Sequence, residues 1–189
     1  KKTILLGLDL RKPKIYNDFK IKNDKGVVNY LIGEEKLETI IQKTHIEHLD
    51  VITSGPVPPN PSELLLSEKL NELITNLKTQ YDYIILDSPP IGLVADALEL
   101  MEYVDASLYV DRQDYTKRDM LNFINEKYKT KQIKNMSLIY NGYDQKAKYG
   151  YGYGYGYGYG YGNYANGYHE EGHDKLSVLS KLKRLFKKR

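Results

Sequence analysis

The chain has 189 residues and a net charge of +3, with 28 Lys and Arg against 25 Asp and Glu and no cysteine. That is one ordinary domain plus a tail; the charge is too small to argue for nucleic acid, and the lack of thiols fits a reducing compartment. No apolar run approaches the roughly 18–20 residues of a membrane helix, and no signal peptide is visible in a chain that reads as a fragment whose domain begins upstream.

Residues 3–8 are a continuous apolar run, expected to be a strand buried on both faces. Residues 27–32 read as a short helix closed by Gly33, and 37–41 as another. A second strand is expected over 49–53, broken by Ser54-Gly55-Pro56. The Pro-rich stretch 56–61 must be loop. From Pro61 the pattern turns helical, with Leu64, Leu65, Leu70, Leu73, Ile74 and Leu77 along one side. Strands follow over 83–86, 107–110 and 136–140, with helices over 95–101 and 116–128 between them. Strands alternating with helices predict an α/β fold, a parallel sheet with helices on both faces.

After Asp144 the pattern ends. Tyr149-Gly150 repeats without a break through Tyr161-Gly162, and Tyr164 and Tyr168 follow. Rings separated by glycines cannot alternate a packed face with a solvated one, because the second face has no side chains, and glycine maximises the entropy lost on ordering. Within a Tyr/Gly-rich tail over 146–173, residues 149–168 are therefore expected to be a disordered display of phenol hydroxyls. Beyond it, 174–189 regains a helical period. Val178, Leu179, Leu182, Leu185 and Phe186 share its apolar side and six Lys and Arg fill the rest. That is the composition of an interfacial helix attracted to anionic lipid, and equally of a helix packing on protein.

Chemistry concentrates at two strand ends. Tyr83-Ile84-Ile85-Leu86-Asp87-Ser88-Pro89-Pro90 is an apolar strand ending in Asp, and Ile4-Leu5-Leu6-Gly7-Leu8-Asp9-Leu10-Arg11-Lys12-Pro13 is another, followed by two cations. Ligands of open α/β sheets bind beyond the carboxyl ends of the strands. A carboxylate there either holds Mg²⁺ or caps a turn, and two converging in one sheet favour the metal and nucleotide. His169-Glu170-Glu171-Gly172-His173 formally fits H-E-x-x-H, but Gly172 and the repeat before it deny it a stable helix, so it reads as a solvated linker.

These motifs, with Gly55-Pro56-Val57-Pro58-Pro59-Asn60-Pro61-Ser62-Glu63-Leu64-Leu65, Asp96-Ala97 and the Tyr-rich C-terminus, in that order, resemble the bacterial tyrosine kinases of capsule and exopolysaccharide export. The resemblance covers about residues 1–168. It implies a P-loop-like fold over 1–145, with ATP and Mg²⁺ as cofactors. Asp9 and Asp87 match the two metal-organising carboxylates, Arg11 joins them in the catalytic set, and Asn141 matches a position contacting the base. The tail is implied to be phosphorylated in trans at Tyr149, Tyr151, Tyr153, Tyr155, Tyr157, Tyr159, Tyr161, Tyr164 and Tyr168. Implied partners are neighbouring subunits of a homo-oligomer, the polysaccharide-export machinery, a cognate tyrosine phosphatase and an anionic membrane surface. The implied location is the cytoplasmic face of the bacterial inner membrane, with an anchor upstream.

Two departures stand out. No G-x-x-x-x-G-K-[ST] occurs, so the first strand and phosphate loop are expected upstream of Lys1. Gly7 stands where many family members carry the Asp expected to act as base. Either the base is dispensable, since phosphoryl transfer rests on positioning and charge stabilisation, or Asp9 takes its role, or activity is reduced. The last case describes a catalytically weak regulatory module of an export complex. A partition- or division-type ATPase of the same fold is a third reading, and the Tyr-Gly tail argues against it.

Overall fold

Alternate apolar positions on the first strand decide where the helices pack. In this computed structural model, which describes residues 1–91 and 96–144, β1 (Thr3–Gly7) buries Ile4 and Leu6 completely. The elements that follow are α1 (Ile15–Phe19), α2 (Val27–Leu31), α3 (Leu37–Ile40), β2 (Gln42–Lys43) and β3 (Leu49–Ile52). Next come α4 (Pro61–Leu65), α5 (Glu68–Lys78), β4 (Tyr83–Asp87) and α6 (Asp96–Glu99), which runs on into the 3₁₀ turn Leu100–Glu102. The described chain finishes with β5 (Ser107–Arg112), α7 (Arg118–Lys129) and β6 (Met136–Asn141).

The strands lie in the order β2-β3-β1-β4, with β5-β6 as a separate pair. β1 is parallel to both neighbours, Leu6 standing opposite Ile52 and Leu86. β5 and β6 are parallel in register from Ser107↔Met136 to Arg112↔Asn141. Leu70, Leu73, Ile74 and Leu77 recur at helical spacing along α5 and pack with Ile4, Leu6 and Ile52, joined by Val27, Val28 and Leu31 of α2 and Leu37 and Ile40 of α3. Each such side chain contributes about 1.5–3 kcal/mol by leaving water. Outside that core, Tyr83 and Ile85 of β4 are 58% and 50% exposed, and Leu108 and Val110 of β5 are 67% and 53% exposed.

The amino-terminal edge of the larger sheet is tied by a polar group. Asp50 is buried beside Lys43 Nζ at 2.8 Å and receives the Tyr81 hydroxyl at 2.7 Å. Burial works against the charge, but Lys43 and Tyr81 prevail and hold the Asp50 carboxyl below its usual range.

The mixed α/β architecture is as expected, but its strands form two sheets rather than one, and three elements differ. The helix expected from Pro61 is two helices, because Ser67 takes an extended backbone (φ −75, ψ 145) and its hydroxyl donates to the Leu64 carbonyl at 2.7 Å. Short α1 was not anticipated, since it is only five residues long and none of them is buried. β2 is an antiparallel two-residue edge on an otherwise parallel sheet.

Candidate functional site

Strands β3, β1 and β4 are parallel neighbours and therefore bring their carboxyl ends to one edge. Asp87 is the last residue of β4 and pairs with Gly7 across the sheet. Asp9 stands two residues past the end of β1 rather than on it. The ladder continues one step further, the Leu8 N–H donating to the Asp87 carbonyl at 2.8 Å. The chain then turns, because Asp9 Oδ1 accepts the N–H groups of Arg11 at 3.2 Å and Lys12 at 2.9 Å. This is the local side-chain-to-backbone bonding that Asp favours in turns. It leaves the carboxylate at the sheet edge, 8% exposed.

Arg11 reaches across to the start of α4, where its Nη2 donates to Ser62 Oγ at 2.9 Å. Thus the segment after β1 is anchored to the segment after β3. The β3 exit is itself clamped. Asn23 Nδ2 donates to the Gly55 carbonyl at 2.8 Å, and the Gly55 N–H donates to Asn23 Oδ1 at 2.9 Å. Gly55 has φ 82, a left-handed conformation that suits glycine, and it starts the Pro-rich loop.

Asp87 opens onto a cleft of about 460 Å³ between β4 and β5, lined also by Ser88, Arg112, Tyr115, Thr116 and Asn141. Its carboxyl is pushed up to about 6, first by burial, then by the charges of Asp9 and Asp18. The side chain remains accessible through the cleft mouth, so water screens part of this penalty. Asn141 ends β6 on the far side of the same cleft, with Oδ1 accepting the Gly142 N–H at 2.8 Å.

The structure thus brings Asp9 and Asp87 together, sets Asn141 across the cleft from Asp87, and turns Arg11 toward Ser62. The tail tyrosines from Tyr149 to Tyr168, the H-E-x-x-H stretch and the basic C-terminal segment lie outside the described residues. Sequence reasoning missed Ser54, Asn23 and Ser62. Ser54 carried one signal, its place directly after a strand parallel to the Asp-ending ones.

Two carboxylates are hard oxygen donors, and Mg²⁺ is commonly held by one or two of them with water and phosphate oxygens. Burial raises Asp87 most and repulsion from Asp9 and Asp18 adds to it; a dication would offset both, so the donor set fits this ion. Among the described residues there is no cluster of three or more His, Cys, Asp or Glu side chains that would suit a metal needing more protein ligands. Among them too, no helix is long and apolar enough to cross a membrane.

A family model described as an AAA domain matches residues 6–138. The tyrosine-protein kinase YwqD of Bacillus subtilis (strain 168) is 38% identical over 142 residues, covering 75% of this chain and 60% of that protein. The kinase domain of the Escherichia coli tyrosine kinase ETK superposes with a TM-score of 0.74 at 33% identity, over 83% of this chain and 62% of that one. The kinase domain of VpsO gives 0.71 at 34% identity, over 76% and 71%. The chain therefore spans well under the full length of these relatives.

Proposed function

The chain belongs to the AAA-domain family and, within it, to the bacterial tyrosine kinases, and on that premise we propose that it is part of an ATP- and Mg²⁺-dependent protein-tyrosine kinase. In this reading the enzyme phosphorylates, in trans, the tail tyrosines Tyr149 to Tyr161 at alternate positions, with Tyr164 and Tyr168. The observation that carries the reading is the convergence of Asp9 and Asp87 at the carboxyl edge of a parallel sheet, with Asp87 facing a cleft that Asn141 borders.

Asp9 and Asp87 would hold Mg²⁺, which when bound offsets charge on the phosphate oxygens. Arg11 adds a cation and ties the Asp9 turn to α4. Asn141 offers an amide to the base from the far wall. The phosphate cradle with its Lys belongs, in this reading, to a strand–loop–helix outside these 189 residues. Two features support that. The sequence holds no phosphate-loop motif, and β4 and β5 each carry a partner on one side only while bordering the same cleft.

The setting proposed is a homo-oligomer at the cytoplasmic face of the inner membrane, regulating polymerisation and export of capsular polysaccharide and reset by a tyrosine phosphatase. In that setting the basic segment 174–189 would assist at an anionic surface. In the full-length protein, Asp9→Asn and Asp87→Asn are each expected to lower tail phosphorylation at least a hundredfold while circular dichroism is unchanged. Wild-type rates in both variants would remove these residues from the mechanism.

One observation favours the weaker reading, a regulatory module of the same complex. A Cβ at Gly7 would stand 2.9 Å from Ser54 Oγ, so the position of the usual base is occupied from β3. Phosphate incorporation into the wild-type tail separates the two, since a regulator alone incorporates none.

A further inference from the structure

We infer that Ser54 positions Asp9, and that Gly7 is without a side chain so that the Ser54 hydroxyl can reach it; this rests on the role given to Asp9 above. Ser54 follows β3 and is 4% exposed. Its backbone is held by α2. The Val28 N–H donates to the Ser54 carbonyl at 2.9 Å, and the Val27 N–H to the Thr53 carbonyl at 2.8 Å. These are first-turn donors that a helix cannot satisfy internally.

With its backbone fixed, Ser54 directs Oγ at β1 and donates to the Asp9 carbonyl at 3.3 Å. Asp9 is then gripped at both ends, by Ser54 on its carbonyl and by the Arg11 and Lys12 N–H groups on Oδ1. Its side chain has little freedom left, which is what an ion-organising carboxylate needs.

The same approach sets any side chain at 7 against the Ser54 hydroxyl. A Cβ there would lie 2.9 Å from Ser54 Oγ and 3.1 Å from the Ser54 nitrogen. The hydroxyl could rotate away, but only by releasing Asp9, whereas the nitrogen need give by only a few tenths of an ångström. Positions 7 and 54 therefore act as a pair: a hydroxyl from β3 or a side chain on β1, not both. Asp introduced at Gly7 would lose the Ser54 bond rather than add a base.

The test uses full-length protein and two readouts. Mn²⁺ binding in the presence of ADP, followed by electron paramagnetic resonance, reports the ion site without turnover. Ser54→Ala is expected to weaken Mn²⁺ about three- to tenfold with circular dichroism unchanged, and Asp9→Asn more than that. Unchanged affinity in Ser54→Ala beside a loss in Asp9→Asn overturns the inference and leaves the reading of Asp9 standing. Unchanged affinity in Asp9→Asn removes both. The pairing is read from melting temperatures of Gly7→Ala, Ser54→Ala and the double variant. The double variant should lose several degrees less than the two singles together; additive losses overturn the pairing.

Discussion

Asp87 carries a pH dependence whose sign follows from its environment. Burial and the negative charges of Asp9 and Asp18 raise its carboxyl to about 6. The folded chain therefore holds a proton that the unfolded chain releases at lower pH. The resulting stabilisation is complete below the ordinary Asp range and is lost as pH rises through about 6. Asp87→Asn is accordingly expected to melt higher than wild type at pH 7.5, the difference shrinking toward pH 5 as wild type takes up its proton. Cleft water reduces the size of the effect without changing its direction. Thermal scans at the two pH values decide it, and a variant that melts lower at pH 7.5 refutes the assignment. Ion binding runs the opposite way, because the site needs the carboxylate: Mn²⁺ affinity should fall below about pH 6.

At the scale of elements, periodicity revealed what packing enforces. The apolar run of β1 and the spacing of Leu70, Leu73, Ile74 and Leu77 on α5 are direct imprints of the core they share. Leu73→Ala is expected to cost about 2–5 kcal/mol in urea unfolding, and a loss below about 1 kcal/mol would place it outside a well-packed core. What periodicity hides is the interruption of one face by a local bond, as at Ser67, where apolar spacing carries across a break. Likewise Asp9 and Asp87 were legible because both close apolar runs in the sequence, whereas Asn23 was not. Its value lies in two bonds to Gly55, 32 positions away, and no spacing rule reports a contact of that range. Removing both bonds by Asn23→Ala should cost about 1–3 kcal/mol and free the loop, so that proteolysis within 56–60 quickens. An unchanged digestion pattern would mean that Gly55 and the prolines hold the loop unaided.

For the whole molecule, the division of the sheet is the dominant fact. β4 and β5 face a common cleft, yet neither pairs with the other. Tyr83, Ile85, Leu108 and Val110 stay half exposed, an apolar surface of the kind that larger assemblies cover. The 189-residue chain alone is therefore expected to bind ATP and Mg²⁺ only at millimolar concentration in calorimetric titration. A micromolar constant from these residues would mean that the cleft already holds a complete phosphate site. The same chain should enhance the fluorescence of an apolar dye more than the full-length protein does, and equal signals would show that the half-exposed strands are not a continuous surface.

The placement of β1 between β3 and β4 also bears on how the chain is made. β1 is synthesised before either neighbour, and β4 follows only about eighty residues later. At roughly 5–20 residues per second, the first strand leaves the ribosome about 4–16 s before its last partner. Until β3 is made, Ile4 and Leu6 have neither of their strand neighbours, and α5, which packs on them, comes later still. Folding of this region is thus compelled to wait for most of its length, and the nascent strand depends on being shielded until then.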